Sequence, residues 1–148
     1  MTMPDDRQFC TFLVDGLYFG IEVLKVQEVI RFQEMTRVPL ASPVIKGLIN
    51  LRGQIVTAID LRRGLDLSDR AEGCLPMNVV VRTVDGAVSL LVDEIGDVVN
   101  VEPDTFERPP ETLNGIARDL ISGVYKLKER LLLVMDTEKA VGLSGMAA

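Results

Sequence analysis

Apolar and polar positions alternate through much of the chain, and the alternation comes in paired short runs. Residues 9–14 and 17–21 flank Asp15-Gly16. An Asp-Gly pair between two β-rich runs predicts a tight hairpin, because both turn residues take positive φ in the turn that matches strand twist. The arrangement recurs at residues 79–84, Asp85-Gly86 and residues 87–92. A third hairpin is predicted where residues 47–51 meet residues 55–59 across Arg52-Gly53-Gln54, with Gly53 in the strained turn position. A fourth joins residues 123–127 to residues 131–135. Helical signals are short: one turn over residues 60–65 opened by Asp60, and a helix over residues 136–142, capped by Asp136 or Thr137 and stopped by Gly142. Apolar positions between Ile21 and Ile30 fit neither period. β-Branched Val26, Val29 and Ile30 favour a turn over residues 22–25 and then a strand over residues 26–32.

The chain also resembles itself. Ile45-Lys-Gly-Leu-Ile-Asn-Leu-Arg52 aligns with Ile121-Ser-Gly-Val-Tyr-Lys-Leu-Lys128, 76 residues on, and the match runs ungapped to Leu65 against Val141. The Asp-Gly hairpins align 70 residues apart, and residues 25–30 resemble residues 94–99. The shared glycine and the shared strand-ending Asp60 and Asp136 favour duplication over a chance likeness of β-rich segments. Each half reads hairpin, strand, loop, hairpin, short helix. Five short strands per half would leave exposed edges in an open sheet, and closure into small barrels removes them. The expected fold is therefore all-β with short helices: two pseudo-symmetric five-stranded barrels side by side, with a groove between. The polar residues 66–73 read as the connector, and residues 102–118, with Pro103, Pro109 and Pro110, as a long surface loop.

Composition narrows the chemistry. Among 148 residues there is no histidine, which excludes His-based acid/base work, phosphohistidine transfer and the commonest metal ligand. A net charge of −6 argues against nucleic acid, whose binding rests on clustered Lys and Arg. Cys10 and Cys74 have neither CxxC spacing nor a His partner and read as reduced, partly buried thiols, with no metal expected. The polar N-terminus is no signal peptide, and the longest apolar runs cover five residues where a spanning helix needs about 20. These features predict a soluble, intracellular chain with no direct membrane insertion. No nucleophile elbow or phosphate-binding glycine loop is present, so no cofactor is expected. Asp93, Glu94 and Asp97 cluster at a strand start and read as solvated edge charges.

The segment from Val38 to Arg62 remains. Pro39 and Pro43 keep its approach extended, Gly47 signals a bulge or close backbone approach, and Arg52 sits at a hairpin tip, where it is a solvated turn residue or a binding group. The string Ile45-Lys-Gly-Leu-Ile-Asn-Leu-Arg-Gly-Gln-Ile-Val56, ending in Ile59-Asp-Leu-Arg62, closely resembles the signature of the CheW family, adaptors that couple bacterial chemoreceptors to the histidine kinase CheA. Tyr18-Phe-Gly-Ile-Glu-Val-Leu-Lys-Val-Gln-Glu-Val-Ile30, Thr36-Arg-Val-Pro39 and Val92-Asp-Glu-Ile-Gly-Asp-Val-Val99 match further landmarks. Thr57 departs from the family's usual proline, a change a strand accommodates.

The resemblance implies one CheW-like domain over residues 8–143, made of two SH3-like barrels, with subdomains roughly 8–70 and 77–143 and strand exchange between them left open. It implies a non-enzymatic adaptor that is monomeric in isolation and joins cytoplasmic receptor arrays. Its partners would be a CheA-type kinase, through that kinase's own CheW-like domain, and a chemoreceptor's helical tip. Carried over by motif, Val26, Glu28 and Ile30 line the receptor-facing region, and Asn50 and Arg52 its polar part. Val26 and Ile30 also fit plain core positions. Glu28 falls on the inward side of a strict alternation from Val26, which demands a groove or a partner for its charge. Competing readings are a scaffold of a non-flagellar kinase pathway and a generic small-barrel interaction module, such as a CheV-type half without its receiver. An enzyme relying on Asp, Glu, Lys, Tyr18 or Tyr125 comes last.

Overall fold

The computed structural model describes residues 8–109 and 119–142. β1 (Gln8–Val14) and β2 (Leu17–Glu22) form a hairpin around Asp15 and Gly16, whose φ values of 52° and 79° suit a type I′ turn. A 3-10 turn, Val23–Lys25, leads into β3 (Val26–Ile30), two residues shorter than the alternation suggests. β4 (Ile45–Leu51) and β5 (Gln54–Asp60) precede α1 (Leu61–Gly64). Asp60 Oδ1 caps that turn by accepting the Arg62 N–H at 3.1 Å. The second half supplies β6 (Met77–Thr83), β7 (Gly86–Val92) and β8 (Glu94–Asn100). It continues with a 3-10 turn, Pro103–Thr105, the two-residue β9 (Phe106–Glu107), β10 (Ile121–Lys126), β11 (Leu131–Met135) and α2 (Thr137–Gly142). The Lys139 N–H donates to Asp136 Oδ1 at 3.2 Å, so Asp136 is a cap of α2.

The strands form two sheets, one in the order β8-β1-β2-β11-β10-β9 and the other β3-β6-β7-β5-β4. Matching β1 to β6, β2 to β7, β3 to β8, β4 to β10 and β5 to β11 turns the first five strands of one order into the other. Each sheet thus takes its central hairpin from one half of the chain and its remaining strands from the other. The strand exchange left open in the sequence is therefore present: each sheet draws on both halves of the chain. The parallel seams obey the same rule: Leu133 opposes Phe19, and 76 residues earlier Thr57 opposes Val88. So do the bulges, between Ile45 and Gly47 in β4 and between Ile121 and Gly123 in β10. The glycines recur because something crosses each of them. A side chain on Gly47 would meet the Thr36 carbonyl oxygen at 2.7 Å, and one on Gly123 would meet the Phe106 ring.

Two expectations need correction. The second hairpin turns on Val84 and Asp85, with Gly86 already paired to Thr83. Asp85 keeps negative φ while Gly86 takes 115°. The Thr83 hydroxyl accepts the Asp85 N–H at 3.1 Å and donates to the Gly86 carbonyl at 2.7 Å, a side-chain turn that fixes the reversal one residue early. The hairpins therefore repeat every 69 residues, in step with β3 and β8. The proline-rich stretch after β8 is also more than a surface loop, since β9 pairs there with β10; residues 110–118 lie outside the described residues.

The architecture is two SH3-like β-barrels sharing a core. The largest apolar cluster joins the sheets through Phe12, Phe19 and Ile21 from one and Ile59, Val79 and Leu90 from the other. Each fully buried side chain of this size contributes about 1.5–3 kcal/mol, so this shared cluster holds the barrels together. Two smaller clusters fill the individual barrels. One holds Phe9, Leu132 and Val134 in the first barrel (β8-β1-β2-β11-β10-β9), and the other holds Ile49, Val56 and Val80 in the second.

Candidate functional site

β4 and β5 meet in a two-residue turn, with Leu51 paired to Gln54. Arg52 and Gly53 have φ of 51° and 90°, so the arginine itself occupies a left-handed position that favours Gly, Asn or Asp. The Asn50 side-chain oxygen accepts the Gly53 N–H at 2.9 Å and steadies this conformation. Arg52 is exposed, and its guanidinium pairs with the Glu28 carboxylate of β3. β3 and β4 are opposite edges of the second sheet, with no backbone ladder between them. The ion pair therefore spans the open rim of that barrel. Glu28 gets to this rim through a register shift between Val26 and Glu28, which breaks the strict alternation. The need that singled Glu28 out in the sequence is met inside the chain, by Arg52.

Glu28, Asn50 and Arg52 thus lie at one rim. Val26 is half-buried against the shared core, and Ile30 against the Ile49–Val56 cluster. The backbone entering β3 is held from behind: the Arg82 guanidinium donates to the carbonyls of Leu24 and Val26, at 3.0 and 2.9 Å. The more exposed apolar side chain here is Ile55, at 61%, while Val29, at 38%, lies on the other face of β3 from Glu28. Ile55 pairs directly with Asn50 across the hairpin. Sequence reasoning passed over it, although Val56 and Ala58 facing inward leave the β5 alternation no choice but to turn Ile55 outward. An exposed apolar side chain beside a fixed ion pair suits recognition of an amphipathic surface.

Comparison with known proteins agrees with this plan. The CheW-like domain family profile matches residues 8–143. The chain belongs to the CheW family. The chemotaxis protein CheW of Bacillus subtilis is 34% identical over 133 residues, covering 88% of this chain and 83% of that protein. The chemotaxis protein CheW of Klebsiella aerogenes is 30% identical over 146 residues, covering 95% and 85%. The crystal structure of the scaffolding protein TtCheW from Thermoanaerobacter tengcongensis superposes with a TM-score of 0.80 at 24% identity, covering 90% of each chain.

This CheW-family chain has a second polar centre, where the sequence reading placed only edge charges. Asp93, after β7, is half-buried and takes a bidentate pair from Arg62, with Nε to Oδ1 at 2.9 Å and Nη2 to Oδ2 at 2.6 Å. Arg70 of the connector brings its Nε to 2.9 Å from Asp93 Oδ1 and its Nη1 to 3.3 Å from Asp60 Oδ1. The Asp15 N–H, from the tip of the first hairpin, donates to Asp93 Oδ2 at 2.7 Å. Burial alone would push the Asp93 carboxyl up, but the hydrogen bonds from Arg62 and Asp15 and the charges of Arg70 and Arg62 outweigh it and hold it below the ordinary value. The hydrogen bond that Arg62 donates to Asp93 in turn raises Arg62. The centre ties together both barrels, α1 and the connector, so residues 66–73 are fastened in place. Of the cysteines, Cys74 is exposed, while burial pushes the Cys10 thiol up. No cluster of metal-ligating side chains forms, and no helix is long and apolar enough to cross a membrane, among the described residues.

Proposed function

We propose that this chain is a chemotaxis adaptor that holds a CheA-type histidine kinase and the helical tip of a chemoreceptor in register, with no chemical step of its own. Membership of the CheW family carries the reading, and the rim of the second barrel supports it in detail. Arg52 keeps a costly left-handed backbone at an exposed tip, where a stability role alone gives little return, because exposed ion pairs contribute about 0–1 kcal/mol. A strained, charged, solvent-facing turn beside Ile55 is what a docking surface needs. In this reading Val26, Ile30 and Ile55 supply apolar support, while Glu28, Asn50 and Arg52 set the orientation of the incoming helix. The chain works as a cytoplasmic monomer recruited to receptor arrays. Absence of histidine removes the commonest acid/base and phosphotransfer groups.

The test is reconstitution of kinase activity from a soluble receptor fragment, a CheA-type kinase and this chain. The wild type makes kinase activity respond to the receptor, and Arg52→Glu loses most of that response while keeping its thermal midpoint. Failure of the wild type to bind either the kinase or the receptor fragment overturns the adaptor reading.

A further inference from the structure

At the opposite end of β4 from Arg52 lies a second surface. A groove of about 370 Å³ runs between residues 37–43, the start of β4 and α1. It is lined by Arg37, Lys46 and Arg63, and no carboxylate lines it, on a chain whose net charge is −6. Arg63 pairs with Asp69 at 3.1 Å, whereas Arg37 and Lys46 form no ion pair among the described residues. The groove is preformed. Ser42 Oγ accepts the Val44 N–H at 3.2 Å, the Ser42 carbonyl accepts the Ile45 N–H at 2.9 Å, and Pro39 and Pro43 stiffen what lies between. At its edge Leu40 takes φ of 63° and stands fully exposed. A branched apolar residue in left-handed backbone is strained, and its side chain touches nothing that would repay the strain within the chain.

We propose that this groove docks an acidic segment of a partner protein, with its carboxylates on Arg37, Lys46 and Arg63 and one of its apolar side chains against Leu40. Local cations decide the matter even on an acidic chain, because at 0.1 M salt charges beyond about 10 Å are largely screened. A long polyanion such as nucleic acid would leave the groove and meet the acidic remainder. Lys46 and Arg52 are separated by most of β4, roughly 20 Å at the rise of a strand, so both surfaces can be occupied at once. This surface stands apart from the adaptor reading and is tested without receptor or kinase.

The experiment is fluorescence anisotropy of the full chain with a labelled peptide of six glutamates around a central leucine. Three comparisons accompany it: the same peptide with glutamines, the same with alanine for leucine, and an oligodeoxynucleotide of equal charge. The glutamate peptide binds and weakens with salt, and Arg37→Glu combined with Lys46→Glu lowers its affinity at least tenfold. Leu40→Gly lowers it about threefold while raising the thermal midpoint, which marks the strained leucine as kept for contact rather than for stability. Equal binding by the glutamine peptide, indifference to the charge reversal, or no binding at millimolar peptide overturns the proposal. Equal binding by the oligonucleotide overturns the choice of a protein segment.

Discussion

The two barrels follow one plan and are finished differently. In the second, the gap between the edge strands β3 and β4 is bridged by Glu28 and Arg52, and beyond β4 the chain adds only an isolated bridge, Thr36 to Leu48. At the matching places in the first barrel stand Asp97 and Lys128, which form no ion pair among the described residues. There the chain adds a strand instead: β9 pairs with β10, with Glu107 opposite Val124, and Lys126 Nζ meets Glu107 Oε2 at 2.7 Å. One rim is spanned by a side-chain clasp, while the other carries an added strand laddered to its β10 edge. A side-chain clasp can be opened, or its charges redirected to a partner, without unpairing a strand. A ladder cannot. The barrel closed by side chains is therefore the one suited to exchanging an internal contact for an external one.

The largest way to break this comparison is to cut what joins its halves. Asp93→Ala leaves Arg62 and Arg70 with side chains only 14% and 11% exposed and without their shared carboxylate, and should cost about 3 kcal/mol in urea unfolding. The same group sets the acid response. Its folded value lies below the ordinary 3.8, so its stabilisation is complete above that value and drains away as pH falls through it toward the folded one. Wild type should lose stability below about pH 4 more steeply than Asp93→Asn, and parallel acid curves would refute this.

A smaller effect separates the two crossings. Gly47→Ala meets the backbone oxygen of Thr36, which cannot move without its bridge, whereas Gly123→Ala meets the Phe106 ring, which can swing. The first should cost about 3 kcal/mol and the second about 1, by thermal or urea unfolding, and a reversed order would show that β9 is the more rigid crossing. Smallest of all in stability are the two clasps. Arg52→Glu and Lys126→Glu should each shift unfolding by no more than about 1 kcal/mol. Receptor control of the kinase should fall only for Arg52→Glu, and an equal loss from both would place the docking surface elsewhere.

Much of this plan is legible in residues alone. The hairpins, the caps at Asp60 and Asp136, and the repeated glycines follow from turn chemistry and spacing, which act locally. The reversal at Val84-Asp85 escaped because the Asp-Gly signal competes with the Thr83 hydroxyl, and which one wins depends on hydrogen bonds invisible in a string of letters. Asp93 escaped for a different reason. Its partners lie 31, 23 and 78 positions away, and a carboxylate at a strand start looks solvated until the connector folds back over it. At the rim, Arg52 was legible as a turn residue and Glu28 as an inward charge, but that each answers the other required the barrel to curl. Ile55 is legible too, since the alternation of β5 alone turns it outward.

The crossed hairpins carry one more consequence. A solitary ancestral unit of about seventy residues, the spacing of the repeat, would own a hairpin that belongs in its neighbour's sheet and a sheet missing its middle. Such a unit could be completed only as a swapped pair, each copy lending the other its central strands about a twofold axis. Joining the two genes end to end would make that loan permanent within a single molecule. Once fused, neither lobe could be deleted and leave a folded remainder, while the two outer rims, no longer forced to be identical, were free to specialise.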